Sequence, residues 1–256
     1  MLFRSDRPIR IVVPLPPGTA PDLFARHIGQ KLSVRVKQPV VIENRPGANT
    51  VIGTGLVAKA TPDGHTLLYA SMQHVMLKPL LKLNFDPDTD FVPVTTTAAT
   101  EMTLIAPSSA SARHIPMKGS TESVTAVAGA QVDYTLTTIT NALPLIQSGR
   151  LKPLAVTGTK RHELLRSVPT MREAALPDFV FETWSAMFAP AGVPRDAMTL
   201  LNREVGAILV EPDTRDYIVK NGSSPNPRSL AESAEFLRAE SKRAAQLVKA
   251  TGATAQ

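Results

Sequence analysis

Cysteine is absent from all 256 residues. That excludes disulfides, thiolate nucleophiles and cysteine-ligated zinc or iron–sulfur centres. Aromatic residues make up only 5% of the chain, and the longest basic cluster is Lys160-Arg161-His162. A nucleic-acid interface that stacks bases on rings along a basic track is therefore not expected. No apolar run approaches the roughly 18 residues that a membrane-spanning helix needs. Nor does a basic n-region followed by an apolar h-region open the chain. Met1-Leu2-Phe3-Arg4-Ser5-Asp6 leads almost at once into a strand pattern, as in a chain whose targeting segment has been removed. Catalytic signatures are missing too: there is no G-x-S-x-G elbow, phosphate-binding G-x-x-x-x-G-K-[ST] loop, G-x-G-x-x-G or H-E-x-x-H. The five histidines, at 27, 65, 74, 114 and 162, are not spaced for a metal on one helix face, so no metal and no cofactor are expected. Serine, histidine and aspartate are all present. Because a dispersed triad is recognised by geometry and not by position, a soluble α/β enzyme acting on a small carboxylate stays open as an alternative.

What is present suits a sizeable folded body. Hydrophobic residues reach 43%, charged residues 20%, and the net charge is +6. The length fits one large or two modest domains. The 22 prolines fall between elements, as in a protein of many short, sharply ended segments. Ile9 to Val13 reads as a buried parallel strand. The stiff loop Pro14-Leu15-Pro16-Pro17-Gly18-Thr19-Ala20 follows, then a helix opening at Pro21 with Asp22 in its first turn and Phe24, Ala25, Ile28 and Leu32 on one face. Val40 to Glu43 is a second strand, Asn49 to Ala60 a second helix, and Thr66 to Ala70 a third strand. This β-α-β-α-β order calls for a doubly wound parallel sheet. Further on, Val92 to Ala99 and Thr103 to Ala106 read as two strands, Val132 to Leu136 as another, and 181 to 189 as a strand around Trp184. Leu201, Val205, Ile208 and Leu209 mark one helix closed by Asn221-Gly222, and Ser229 with Glu232 forms a capping-box start for the last. Changes of texture near 100 and 190 divide the chain into a discontinuous first lobe, 1–100 with 190–256, and an inserted second lobe, 101–189.

The unit from Ile9 to Leu32 is the most informative. Its loop leaves the carboxyl end of a strand, where open α/β sheets bind ligands. The backbone N–H groups of Gly18, Thr19, Ala20 and Asp22 stand at the positive end of the following helix, and such groups bind anions without a charged side chain. Every βα unit has such a turn, so a plain connection is the competing reading.

Several blocks sharpen this. The run Pro14-Leu15-Pro16-Pro17-Gly18 with Asp22 and Ala25-Arg26 resembles the first-loop signature of the Bug-type periplasmic solute-binding receptors of tripartite tricarboxylate transporters. Gln38-Pro39-Val40-Val41-Ile42-Glu43-Asn44-Arg45-Pro46-Gly47-Ala48, Pro62-Asp63-Gly64-His65-Thr66-Leu67-Leu68 and Phe85-Asp86-Pro87-Asp88-Thr89-Asp90-Phe91 follow in family order. So do Lys118-Gly119-Ser120, Gly149-Arg150-Leu151-Lys152-Pro153-Leu154, Val168-Pro169-Thr170, Glu182-Thr183-Trp184 and 188–194.

The resemblance implies a type II, two-lobed periplasmic-binding fold, each lobe a mostly parallel sheet flanked by helices. It implies an extracytoplasmic, monomeric and non-catalytic receptor. Such a receptor closes on a small organic carboxylate by a hinge motion and passes it to membrane transporter subunits; the +6 charge would favour capture of anions. It places the ligand on Pro17, Gly18, Thr19, Ala20 and Asp22, with the loop after the third strand, Ser71, Met72, Gln73 and His74, contributing. Thr137 and Thr138 from the second lobe and Trp184 complete the candidate set. Asp22 reads first as a helix-dipole partner and loop anchor, and Trp184 first as packing.

The chain departs from the family pattern in three places. Thr19 stands where relatives usually carry a second glycine, so a positive φ there would be strained. Pro21 replaces a serine or threonine and removes a donor. Between Pro107 and Arg113 a few dozen family residues are missing, and Ser108–Ala112 reads as the seam of a deletion or of residues missing from this sequence. That shortens the second lobe and opens a third reading, a relative that has lost ligand binding.

Overall fold

The computed structural model describes residues 7–105, 120–174 and 176–253. The seam at Ser108–Ala112 and Lys118 lie outside the described residues. In chain order the elements are β1 (Ile9–Val13), α1 (Ala20–Val36), β2 (Val40–Asn44), α2 (Val51–Ala58), β3 (Thr66–Ser71), α3 (Gln73–Leu80) and β4 (Phe91–Ile105). There follow α4 (Ser120–Ala128), β5 (Thr135–Thr138), α5 (Ile139–Gln147), β6 (Pro153–Val156), α6 (Met171–Ala174), β7 (Glu182–Pro190), α7 (Arg195–Leu209), α8 (Pro212–Lys220), β8 (Ser224–Pro225) and α9 (Leu230–Thr251). The chain forms two compact units. The first takes the described residues up to Ala98, Trp184–Asp216 and those from Pro225 onward; the second takes the described part of Ala99–Thr183 with Tyr217–Ser224. Compared with boundaries drawn from sequence texture, 184–189 belongs to the first unit, and 99–100 and 217–224 to the second.

In the first unit the strand order is β2-β1-β3-β7-β4. β1 pairs in parallel with both β2 and β3, with Ile11 opposite Ile42 and Leu67, whereas β3 and β7 are antiparallel, Ser71 facing Ser185. The parallel βαβ expectation therefore describes the first three strands, and the sheet is mixed beyond them. Phe24, Ile28 and Leu32 of α1 are fully buried or nearly so, each worth about 1.5–3 kcal/mol of transfer from water. α1 ends at Lys37 in a left-handed conformation, its N–H donating to Ser33 O. Lys31 and Arg35 on its outer face pair with Glu204, Glu211 and Asp213, a surface network of modest individual worth.

Where sequence reading and structure differ, the causes are local. The expected strands Val92–Ala99 and Thr103–Ala106 are, as far as Ile105, one 15-residue strand, β4, because Thr100-Glu101-Met102 between them stays extended, Met102 pairing with Thr138. Within the first unit Thr95, Thr96 and Thr97 give their hydroxyls to backbone carbonyls of Arg228, Asn226 and Ser185. Pro212 divides the expected single helix after residue 195 into α7 and α8, since it cannot donate into the preceding turn. The capping box at Ser229 and Glu232 is formed, opening α9.

The helix expected from Asn49 begins at Val51. Ahead of it Gly47, Ala48, Asn49 and Thr50 all have positive φ (127°, 45°, 51° and 75°), a strained run for three residues that carry a Cβ. α2 then packs its Gly53 against the first loop: a Cβ there would lie 2.6 Å from Arg45 O and 2.9 Å from Pro14 Cβ. Gly53→Ala is accordingly expected to destabilise the first unit by about 1–2 kcal/mol net, overpacking outweighing the better helix propensity. The check is a thermal melt lower by several degrees.

The second unit is antiparallel around β4. Met102 faces Thr138 of β5, and Thr103 faces Val156 of β6. The strand expected at Val132–Leu136 sits later, at β5, and Leu143–Gln147 belongs to α5. Val124 and Val127 pack with Ala142 and Leu151 on one side, and Ile139, Leu143, Val156, Leu165 and Val168 form a second cluster.

Candidate functional site

Parallel pairing fixes the polarity of the first unit. With Val12 opposite Leu68 and Val13 opposite Asn44, β1, β2 and β3 all end at one edge. The segments that lead from them into α1, α2 and α3 start there side by side. Arg45 N–H donates to Val13 O (2.8 Å) and Asn44 Nδ2 to Leu15 O (3.1 Å), knitting the end of β2 to the first loop.

The loop itself is organised around Asp22, which is 1% exposed. Its Oδ2 accepts from Gly18 N–H (2.9 Å) and Arg26 Nε (3.1 Å). Its Oδ1 accepts from Asn44 Nδ2 (2.8 Å) and lies 3.0 Å from Arg26 Nη2, which in turn donates to Asn44 Oδ1 (2.7 Å). Burial alone would push this carboxyl up; the hydrogen bonds from Arg26, Gly18 and Asn44 outweigh it and hold the group below the usual aspartate range. Asp22 is thus an ionised anchor whose charge Arg26 compensates, and its oxygens are engaged by the loop's own donors.

Gly18 has φ +82°, and its amide is one of the donors to Asp22, so it is not open to a ligand. Thr19 is the N-cap of α1 in an extended conformation (φ −74°, ψ 156°). The strain expected from the missing second glycine is therefore absent. Thr19 Oγ1 donates to Pro16 O (2.9 Å), which closes the proline-rich turn on itself. Pro21 occupies the second helical position, not the first. The first helical hydrogen bond is Leu23 N–H to Thr19 O (3.0 Å). The amides of Thr19 and Ala20 precede it on half-buried residues and take no acceptor among the described residues, so two donors stand at the positive end of a 17-residue helix, ahead of the buried Asp22. Pro17 is exposed on the same turn.

The residues after β3 adjoin this edge but contribute less than expected. Ser71 closes β3 opposite Ser185, and Met72 N–H donates to Trp184 O (3.0 Å). Gln73 is exposed at the start of α3. His74 is 2% exposed: its ring lies edge-on to Phe91 and tilted on Phe188, with Nε2 3.2 Å from Pro87 O. Burial pushes the imidazole down to about 4. It is a neutral core residue, a role that its loop position in the sequence did not disclose. Trp184 is 3% exposed, stacked edge-on against Phe236, and its indole N–H donates to Glu240 (2.8 Å). These contacts make it packing.

Thr137 and Thr138 belong to the second unit. Thr137 is 1% exposed, and its hydroxyl oxygen has no hydrogen-bond partner among the described residues. Thr138 is the extended N-cap of α5, without a side-chain capping bond. Asn44, the second anchor of the first loop, was not singled out. Its place at the end of β2, beside the loop after β1, was the only available signal. Among the described residues no group of histidine, aspartate and glutamate is arranged to hold a metal, and no helix is long and apolar enough to cross a membrane.

Against known proteins, the family model "Tripartite tricarboxylate transporter family receptor" matches residues 24–113 and 108–253. The chain is 31% identical to the UPF0065 protein of the tcbD-tcbE intergenic region of Pseudomonas sp. strain P51, over 95% of this chain and 86% of that protein. It is 29% identical to protein BugT of Bordetella pertussis, over 96% and 90%. These alignments run over 288 and 293 positions, more than the chain's 256 residues, so the relatives carry intervening residues that this chain lacks. Among solved structures, Rpa4515 of R. palustris with adipate superposes with a TM-score of 0.86 (26% identity, 96% of this chain and 97% of that one). MatC of Rhodopseudomonas palustris with bound malate gives 0.83 (28%, 94% and 99%), and the periplasmic binding protein BugD gives 0.82 (27%, 98% and 100%). The matched family is one of transporter receptors, and BugD is a periplasmic binding protein. With the fold and the family match in agreement from residue 24 onward, the chain belongs to the tripartite tricarboxylate transporter receptor family, the group that includes the Bug proteins.

Proposed function

We propose that this chain is a non-catalytic extracytoplasmic receptor that captures a small organic carboxylate and delivers it to tripartite-tricarboxylate-type transporter subunits. One observation carries the reading. Two amides at the start of α1, those of Thr19 and Ala20, are left open at the carboxyl edge of the parallel strands, while the acid beside them is neutralised by Arg26. An anion arriving there meets donors and a helix dipole without meeting an uncompensated negative charge. The adipate and malate bound by the R. palustris proteins support an aliphatic dicarboxylate as the class to try first. In this reading Thr19 and Ala20 donate through their backbones, Asp22 anchors the loop from within, Gly18 and Pro17 shape the turn, and Ser71, Met72 and Gln73 border it. In the second unit the candidates remain Thr138, an uncapped helix start, and Thr137, whose hydroxyl oxygen has no partner among the described residues.

A second reading rests on a specific observation. The family match comes in two pieces that meet at 108–113, as a shortened second lobe would produce. A chain lacking that stretch could have lost affinity while keeping its fold. A thermal-shift screen with dicarboxylates, tricarboxylates, amino acids and aromatic acids separates the readings. A true ligand at roughly 100 times Kd adds about 2.7 kcal/mol and raises the melting temperature by about 5–10 °C. Ligand recovered unchanged supports the receptor, and ligand consumed would establish an enzyme. The absence of any shift across the panel would establish the loss of binding.

A further inference from the structure

The second unit holds a carboxyl group that no structural contact accounts for. Glu101 lies on β4, one residue before Met102, whose N–H and C=O are both tied to Thr157 (2.9 Å each). Thr157 Oγ1 donates onward to Phe181 O, and Phe181 N–H returns to Thr157 O (3.0 Å). Glu101 is thus set beside the turn Thr157-Gly158, which these bonds hold to β4. Its carboxyl packs directly on Gly158, where any Cβ would lie 2.7 Å from Oε2. That same Oε2 is buried without a hydrogen-bond partner among the described residues. Two charged groups face it: Glu182 at the start of β7, which repels its ionised form, and Lys160 in the turn after β6, which attracts it.

A buried carboxylate oxygen with no donor, beside a second carboxylate, is stable only when it carries a proton or when a cation approaches it. We propose that Glu101 is a proton-operated switch in the second unit: protonated, its carboxyl fits the Gly158 niche; ionised, it strains against Glu182 and loosens the turn 157–160 from β4. Burial first, and Glu182 second, push this carboxyl up to about 7 against the pull of Lys160. The folded form therefore holds the proton more tightly than the unfolded chain does. Stability is greatest below the ordinary glutamate range and falls as pH rises through the folded value, the reverse of a salt-bridged carboxylate.

The test is the melting temperature of the full chain between pH 5 and 8.5, combined with carboxyl-carbon NMR of Glu101. The parent should lose several degrees as pH rises from the ordinary glutamate range to about 7 and level off above it, while the Glu101 carboxyl carbon titrates with a midpoint about 2 pH units above an ordinary glutamate. Glu101→Gln should flatten that fall and melt above the parent at pH 8.5. Glu182→Gln should move the midpoint down by about half a unit or more, and Lys160→Met should move it up by a comparable amount. The two neighbour variants keep the test alive if Glu101→Gln fails to fold, because a merely structural role for Glu101 would leave the midpoint fixed. A Glu101 resonance titrating in the ordinary range, or a Glu101→Gln profile parallel to the parent's, overturns the proposal.

Discussion

Asp22→Ala is expected to unmake the first loop. Removing this carboxylate leaves Gly18 N–H, Asn44 Nδ2 and Arg26 without their shared acceptor. A buried donor stripped of its partner costs about 1–3 kcal/mol, and breaking a buried ion pair on one side about 3–5. Because the Arg26 side chain is half exposed and can turn to water, the sum should settle near 3–4 kcal/mol, a melting temperature lower by about 10 °C. Ligand affinity should fall further, by about 100-fold or more, since the open amides of Thr19 and Ala20 lose the frame that aims them. Asp22→Asn keeps the shape and part of the bonding, so it should fall between.

The same pair of proteins gives a signed pH prediction. With a folded value below the unfolded one, Asp22 stabilises fully above the ordinary aspartate range, and that contribution disappears as pH falls through the lowered value. Acid melting curves of the parent should therefore show a limb below about pH 4 that Asp22→Asn lacks. Coincident acid limbs would remove Asp22 from its place as anchor.

Gly18→Val separates binding from stability. A Cβ at Gly18 meets nothing within 4 Å, so the substitution introduces no clash, only a β-branched residue at φ +82°. Holding that conformation costs about 1–3 kcal/mol. The chain can avoid the cost by turning the 17–18 peptide, which withdraws the Gly18 amide from Asp22 and reorients the amides that follow. Titration calorimetry with the acid found by the thermal-shift screen should show affinity lost by about 100-fold or more, with the melting temperature down only about 4–8 °C. Gly18→Ala should be milder on both measures. If Gly18→Val binds as tightly as the parent, the carboxylate is held elsewhere.

What the sequence disclosed follows from the range of the forces concerned. The order β1-α1-β2-α2-β3, the α9 capping box and the open amides of Thr19 and Ala20 are local facts, written in apolar spacing, turn residues and helix-start chemistry within a few positions. His74 was legible as a polar residue after a strand but not as a core one, because the rings that bury it are Phe91 and Phe188, the second more than a hundred positions away. Trp184 finds Glu240 across 56 positions, and Asn44 reaches Asp22 across 22; no spacing rule links such pairs. The left-handed run before α2 was hidden because Ala48, Asn49 and Thr50 do not advertise positive φ as glycine would. Glu101 had no signature, since its isolation depends on a turn 57 positions downstream.

The first unit draws on three separated stretches of chain, the last of which carries α9. Trp184 meets Phe236 and Glu240 of that helix, and Thr95 and Thr96 are closed off by Arg228 and Asn226 just before it. A nascent polypeptide halted anywhere before residue 226 lacks these partners, so the unit cannot finish assembling while synthesis is under way. Long loops must close before their contacts repay the lost entropy, which slows collapse and keeps an unfinished polypeptide pliable. Interrupting the chain short of α9 therefore leaves the first unit unfinished, however complete its parallel strands.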